Sequence, residues 1–173
     1  IDYLNDNGIA IPVLEELVEE KHSSCGCPGS QEQIFENTDS EEEGQRLSHL
    51  TQWPIQMHLI SPMAPYFQGK DVLLAADCSA FALGDFHKDY LKGKSIGIAC
   101  PKLDSDQEVY TEKIKALIDD AKINTLTVVI MQVPCCFGLA QIAKEGAEKA
   151  TRKIPVKQVV VGLEGNILSE EWI

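Results

Sequence analysis

The stretch Thr125–Gly138, TLTVVIMQVPCCFG, decides the fold. From Thr125 to Val133 it is an apolar, β-branched run of strand length, too short to cross a membrane. Pro134 has no N–H to give to a ladder and so ends the strand. The residues that follow, to about 150, have helical spacing. Two earlier runs repeat the arrangement. Val72–Ala76 closes on Asp77-Cys78, and Ser95–Ala99 closes on Cys100-Pro101. Short apolar runs alternating with helical stretches are the pattern of parallel strands joined by helical crossovers.

The predicted order is strand 72–77, helix 79–92, strand 94–99, helix 106–121, strand 125–133, helix 136–150 and strand 156–163. Glu164-Gly165-Asn166 then makes a turn, and Ile167-Leu168 forms a short returning strand. Asp106 is the expected N-cap of the second helix, and Lys115, Lys122 and Lys149 suit helix C-terminal ends. Ahead of the repeat, Ile55–Ile60 is expected to enter the sheet as a strand. The fold class is therefore α/β: a mainly parallel, Rossmann-like sheet of four or five strands with helices on both faces. Residues 51–173 form this domain. Residues 1–50 hold an amphipathic helix at 9–21, with Val13, Leu14, Leu17 and Val18 on one face, then a loop with Cys25 and Cys27. A solvated acidic linker containing Glu41–Glu43 completes them.

Composition narrows the function. The 173 residues carry a formal net charge of −12, which argues against nucleic acid and anionic membrane as partners. No apolar stretch approaches the roughly 20 residues of a membrane span, and no signal peptide is visible, so a cytoplasmic protein is expected. The chain begins with Ile1, which fits a fragment, a processed form or an unseen start.

The six cysteines are Cys25, Cys27, Cys78, Cys100, Cys135 and Cys136. Four of them fall at strand ends, and right-handed crossovers put those ends on one edge of the sheet, where open α/β sheets bind ligands. Cys135 and Cys136 also fall at a helix start, where free N–H groups and the dipole favour a thiolate. Side chains of adjacent residues diverge, so one is expected to face the site while the other packs, with Cys135 preferred as the ligand. Thiolate donors suit an iron–sulfur cluster, zinc or copper(I), and not magnesium or calcium. A cluster takes four cysteines; the fourth is Cys136, Cys27 or a histidine. His87, on the helix after Cys78, is a candidate ligand beside Cys78, Cys100 and Cys135. Asp77, Lys102 and His58 are expected to support the ligands, although His58, between apolar residues, also reads as a core histidine.

No glycine-rich phosphate loop follows the first strand, where Asp77-Cys78-Ser79-Ala80-Phe81 stands instead, so the usual dinucleotide site is not expected. No Gly-x-Ser-x-Gly elbow is present.

Seven motifs carry a resemblance: CPGS (27–30), QWPIQMHL (52–59), APYF (64–67), AADC (75–78), GDFH (84–87), CPKLD (100–104) and PCCFG (134–138). Together they resemble a family of uncharacterised iron–sulfur proteins of anaerobic microbes. In that family this domain looks like the C-terminal half of a longer protein whose N-terminal half is a two-cluster ferredoxin. The resemblance implies a [4Fe-4S] centre, electron transfer and a ferredoxin-type partner. The paired cysteines are also similar to the cluster motif of heterodisulfide reductases, though Phe137 intervenes and the downstream Cys-x-x-Cys is missing. β-Class carbonic anhydrases resemble the chain in holding zinc at strand ends, with a cysteine after the first strand. Their next motif is His-x-x-Cys, where this chain has Pro134-Cys135-Cys136. A zinc hydrolase or lyase and a metal-free interaction domain are the alternatives.

Overall fold

In the computed structural model, the described residues are 47–173 together with the main chain of Gln33 and Ile34. The expected helix at 9–21, the loop with Cys25 and Cys27, and the acidic run with Glu41–Glu43 lie outside them. The strands are β1 (Gln33–Ile34), β2 (Gln52–Trp53), β3 (Asp71–Ala76), β4 (Ser95–Ala99), β5 (Thr125–Met131), β6 (Val156–Val161) and β7 (Ile167–Trp172). The helices are α1 (Ser79–Ala82), α2 (Glu108–Asp119) and α3 (Pro134–Lys149), with a π-helical turn at Phe86–Leu91.

The main sheet has the order β4-β3-β5-β6-β7. The first four strands are parallel, and β7 returns antiparallel beside β6. This is the α/β, mainly parallel sheet that the apolar runs predict, with five strands. β3 and β5 are central and shielded on both faces, which is why their sequences are continuous apolar runs and do not alternate. Leu73, Val128, Val129 and Ile130 are wholly buried. At the edge, β7 is mostly exposed and alternates only loosely, and its Glu170 pairs with Lys157 of β6.

Helices cover both faces. α2 and α3 pack together on one, through Ile114 of α2 and Gly146 of α3. Right-handed crossovers place α1 and the π-helical turn on the other.

Three local expectations are corrected. The helix at 79–92 is split, because Leu83 is extended and buried and Gly84-Asp85 separates α1 from the π-helical turn. Asp106 does not cap α2. It sits at φ 53, and Gln107 holds the cap position without a side-chain bond to the helix. The strand at 55–60 shrinks to a single parallel bridge between Gln56 and Ile98. Beyond it the chain turns, and the Lys113 ammonium of α2 donates to the carbonyls of Met57, His58 and Ile60 at 2.7–2.8 Å. These carbonyls find a charged donor in place of a ladder, and a strand is not needed to satisfy them.

A β-carbon at Gly146 would lie 2.6 Å from Cγ2 of Ile114, a β-branched side chain with little freedom to move. Gly146→Ala is expected to lower stability. Overpacking costs about 1–3 kcal/mol against the ~1 kcal/mol that alanine contributes in helix propensity. Chemical denaturation checks this, and Ile114→Val is expected to relieve part of the loss.

Candidate metal centre

The position of the thiols follows from strand order. β3 connects to β4 on one side, and the chain then crosses back over β3 to form β5 on the other. The gap between the ends of β3 and β5 is therefore the point where the winding reverses, and open α/β sheets bind ligands there. Cys78 follows β3, and Cys135 and Cys136 follow β5. The three thiols flank this gap and sense one another. Burial pushes the Cys136 thiol up, Cys135 and Cys78 push it the same way, and a hydrogen bond with the Met131 main chain opposes them. Cys78 and Cys135 are exposed, while Cys136 packs into the core. The two neighbouring cysteines do face different surroundings.

Pro134 is the first residue of α3, and Val133 caps the helix without a side-chain bond. Pro134 has no N–H and the Cys136 N–H donates to the Val133 carbonyl at 3.0 Å, so it is the dipole of α3 that favours negative charge beside the two cysteines.

Cys100 stands on the far side of β3. Ala76 and Ala99 are register partners, so Cys100 leaves β4 beside the Asp77-Cys78 turn, one strand spacing of about 4.8 Å away. Its loop folds back across the edge, and a β-carbon at Gly138 would lie 3.3 Å from Cβ of Pro101. Glycine there lets the β4 loop sit against the first turn of α3.

A polar cluster that the sequence did not reveal fixes that loop. One Asp104 oxygen accepts from the Cys100 N–H and from the Tyr110 hydroxyl, both at 2.8 Å. Gln107 donates to the Pro101 and Asp104 carbonyls. Burial, the Asp104 bond and the nearby Asp77 and Cys100 all raise the Tyr110 hydroxyl above its usual range, so it stays protonated and keeps donating. Asp77 is raised by burial and by Asp104, against a hydrogen bond from Gln56, and its buried Oδ1 has no partner. The signal for Asp104 was its place in CPKLD. For Tyr110 there was none, because a turn, and not a period, brings it back to the loop.

The remaining candidates are spread more widely. His87 lies on the π-helical turn, where its Nδ1 accepts the His49 N–H at 3.1 Å and its ring meets Phe86 edge-on. His58 is not a core residue. It is exposed, its Nε2 lies 3.0 Å from the Ser105 carbonyl, and its ring leans on Tyr110 with centroids 4.6 Å apart. It thus steadies the loop that carries Cys100. Lys102 is exposed on that loop, and the group bonded to Cys100 is the Asp104 carboxylate. Cys27 is outside the described residues. A separate surface groove of about 470 Å³, lined by Leu83, Gly84, Asp85, Asp89, Tyr90, Gly165 and Ile167, contains no cysteine.

The sequence profile of the Rossmann-like domain family matches residues 64–173, more than half of the chain. The chain belongs to that family. It is also similar to an uncharacterised protein of Archaeoglobus fulgidus, 28% identical over 123 residues that cover 70% of this chain and 84% of that protein. No solved structure matches it. This Rossmann-like domain departs from the dinucleotide-binding pattern at the β3–α1 turn, where a cysteine and a phenylalanine replace the glycines that let a phosphate approach. Among the described residues no helix is long and apolar enough to cross a membrane.

A metal fits the donor chemistry of this edge better than its present spacing. The four thiols suit a soft metal, but among the described residues no three cysteine, histidine or acidic side chains close into a group that holds an ion. In metal-free protein, Cys136 is expected to be alkylated last of the four, since the thiolate is the reactive form and burial disfavours it. An unfolded cysteine titrates near about 8.5, and Cys136 keeps its proton to higher pH when folded. Above that value the unfolded state binds fewer protons, so stability falls as pH rises towards the folded pKa. Cys136→Ser is expected to shrink this alkaline loss in denaturation curves, and an unchanged slope would contradict the assignment.

Proposed function

We propose that the strand-end edge holds a thiolate-bound metal centre, an iron–sulfur cluster of the [4Fe-4S] type, in a redox module that exchanges electrons with a ferredoxin-type domain or protein. One observation carries the reading: Cys78 and the Cys135-Cys136 pair flank the gap where the winding of the sheet reverses. Cys100 stands beside Cys78 on the next strand end. Such a set is rich in soft donors, which favours iron–sulfur or zinc over hard cations.

Each residue has a part that does not need the metal to be described. Cys78, Cys100 and Cys135 are the proposed ligands. Cys136 packs behind them and shapes the start of α3. The dipole at the N-terminus of α3 offsets thiolate charge. Asp104 and Tyr110 hold the Cys100 loop in place. When bound, a cluster supplies one-electron chemistry, and exposed Cys78 and Cys135 put it within reach of a partner.

Protein purified without oxygen and reconstituted with iron and sulfide is expected to contain both and to absorb broadly in the visible range. Cys78→Ser and Cys135→Ser are expected to lose most of the iron, and Cys136→Ser to keep most of it. A colourless protein with stoichiometric zinc would support a zinc enzyme instead. Absence of any metal, or full iron in a Cys78→Ser/Cys135→Ser double variant, would overturn the assignment.

A further inference from the structure

The thiols at the gap between β3 and β5 are placed to act on one another as well as to hold a metal. Cys78, Cys100, Cys135 and Cys136 are all free thiols, Cys78 and Cys135 exposed and Cys136 buried. A hydrogen bond joins the side chains of Cys135 and Cys136, and Cys78 is near enough for its charge to act on Cys136.

The backbone decides which of them can meet. β3 and β5 are neighbours, with Ala75 level with Val129, and adjacent strands run about 4.8 Å apart. α1 starts one residue after Cys78 and packs against β5, the strand that leads into α3. The Cys78 turn is thereby held beside the end of β5. A disulfide spans about 4.4–6.8 Å between α-carbons, a distance of the order of one strand spacing. Consecutive residues are fixed at about 3.8 Å, so Cys135 and Cys136 do not close on each other. Cys100 is on the far side of β3, where Asp104 and Tyr110 hold its loop. What remains is a link across the gap, and Cys135 is the exposed partner for Cys78 there.

The two thiols differ in their surroundings. Cys135 is the second residue of α3, a helix of 16 residues, whose aligned peptide dipoles favour negative charge at that end. Cys78 stands ahead of α1, which has only four residues and so a far smaller summed dipole. The thiolate is the attacking species in exchange. Cys135 is therefore the attacking thiol and Cys78 the resolving one.

We propose that in the metal-free chain Cys135 and Cys78 form a thiol–disulfide exchange pair for small-molecule disulfides. The Cys135 thiolate attacks one sulfur of R–S–S–R, the S–S bond breaks, and the first R–S⁻ leaves with the proton that Cys135 released. Cys78 then attacks the Cys135 sulfur of the mixed disulfide, and the second R–S⁻ leaves with the Cys78 proton. In all, the two cysteines lose two electrons and two protons, and R–S–S–R becomes two R–S–H. The pair needs no metal and stands apart from the preceding reading. Where a centre forms, the disulfide withholds two of its ligands.

The test equilibrates the full metal-free chain with glutathione and its disulfide, quenches with acid and maps the peptides by mass spectrometry. A Cys78–Cys135 link is expected as the main product, reversed by excess reduced glutathione. Cys78→Ser is expected to accumulate the mixed disulfide with glutathione at Cys135, and Cys135→Ser to gain little glutathione at Cys78. Cys135 and Cys136 share a peptide, so Cys136→Ser assigns the link. Its retention there supports the pair, and its loss in a variant that keeps its circular dichroism overturns it. A main link through any other cysteine, or Cys78 and Cys135 each carrying glutathione in the unsubstituted chain, would also overturn it. Iron reconstitution of the reduced chain separates the two readings. Iron uptake with no Cys78–Cys135 link in the titration overturns the pair and leaves the centre standing; the link without iron uptake does the reverse.

Discussion

The parallel register of β3 between β4 and β5 is the constraint on which the rest of the structure depends. Ala76 faces Ala99 on one side, and Ala75 faces Val129 on the other. Three chain segments therefore leave the sheet at nearly the same level, separated by single strand spacings. A slip of one residue would turn each buried side chain to the opposite face. Continuous burial of Val72–Ala76 and Leu126–Met131 makes any such slip change what packs against α2 and α3. The packing energy of the core thus also fixes the spacing of Cys78, Cys100 and Cys135.

The edge divides into two chemical halves. Towards β5 stand the thiols of Cys78, Cys135 and Cys136, the N-terminus of α3 and the exposed Phe81 and Phe137, a soft and largely apolar set of groups. Towards β4, Asp77, Asp104 and Tyr110 form a polar cluster that clamps the Cys100 main chain. Burial raises the Asp77 carboxyl above its ordinary value, and the nearby Asp104 adds to it. The Tyr110 hydroxyl and the Gln56 side chain ease this crowding by donating to Asp104 and Asp77. The cluster explains how an irregular loop can present Cys100 in a defined place.

Much of the fold was legible because burial on both faces writes itself into the chain as short, mostly apolar runs. The strands expected at 72–77, 94–99, 125–133 and 156–163 fall at Asp71–Ala76, Ser95–Ala99, Thr125–Met131 and Val156–Val161. The break at Leu83–Asp85 was hidden, since an extended buried leucine looks like a helix face in sequence. The 55–60 segment misled for the opposite reason: its apolar residues pack into the core from a turn held by Lys113. At the site, the sequence located the strand-end cysteines but not the strand order, so it could not say which of them flank the winding reversal. Asp104 and Tyr110 were missed because their contact arises from a loop, whose geometry no periodicity encodes.

The central claim is that sulfur atoms of this edge bind a metal. X-ray absorption at the iron edge of anaerobically reconstituted full-length protein tests it most directly. The account expects a first shell of sulfur alone with iron–iron scattering behind it, diminished in Cys78→Ser. A shell of oxygen and nitrogen, or iron that a desalting column removes, would contradict it.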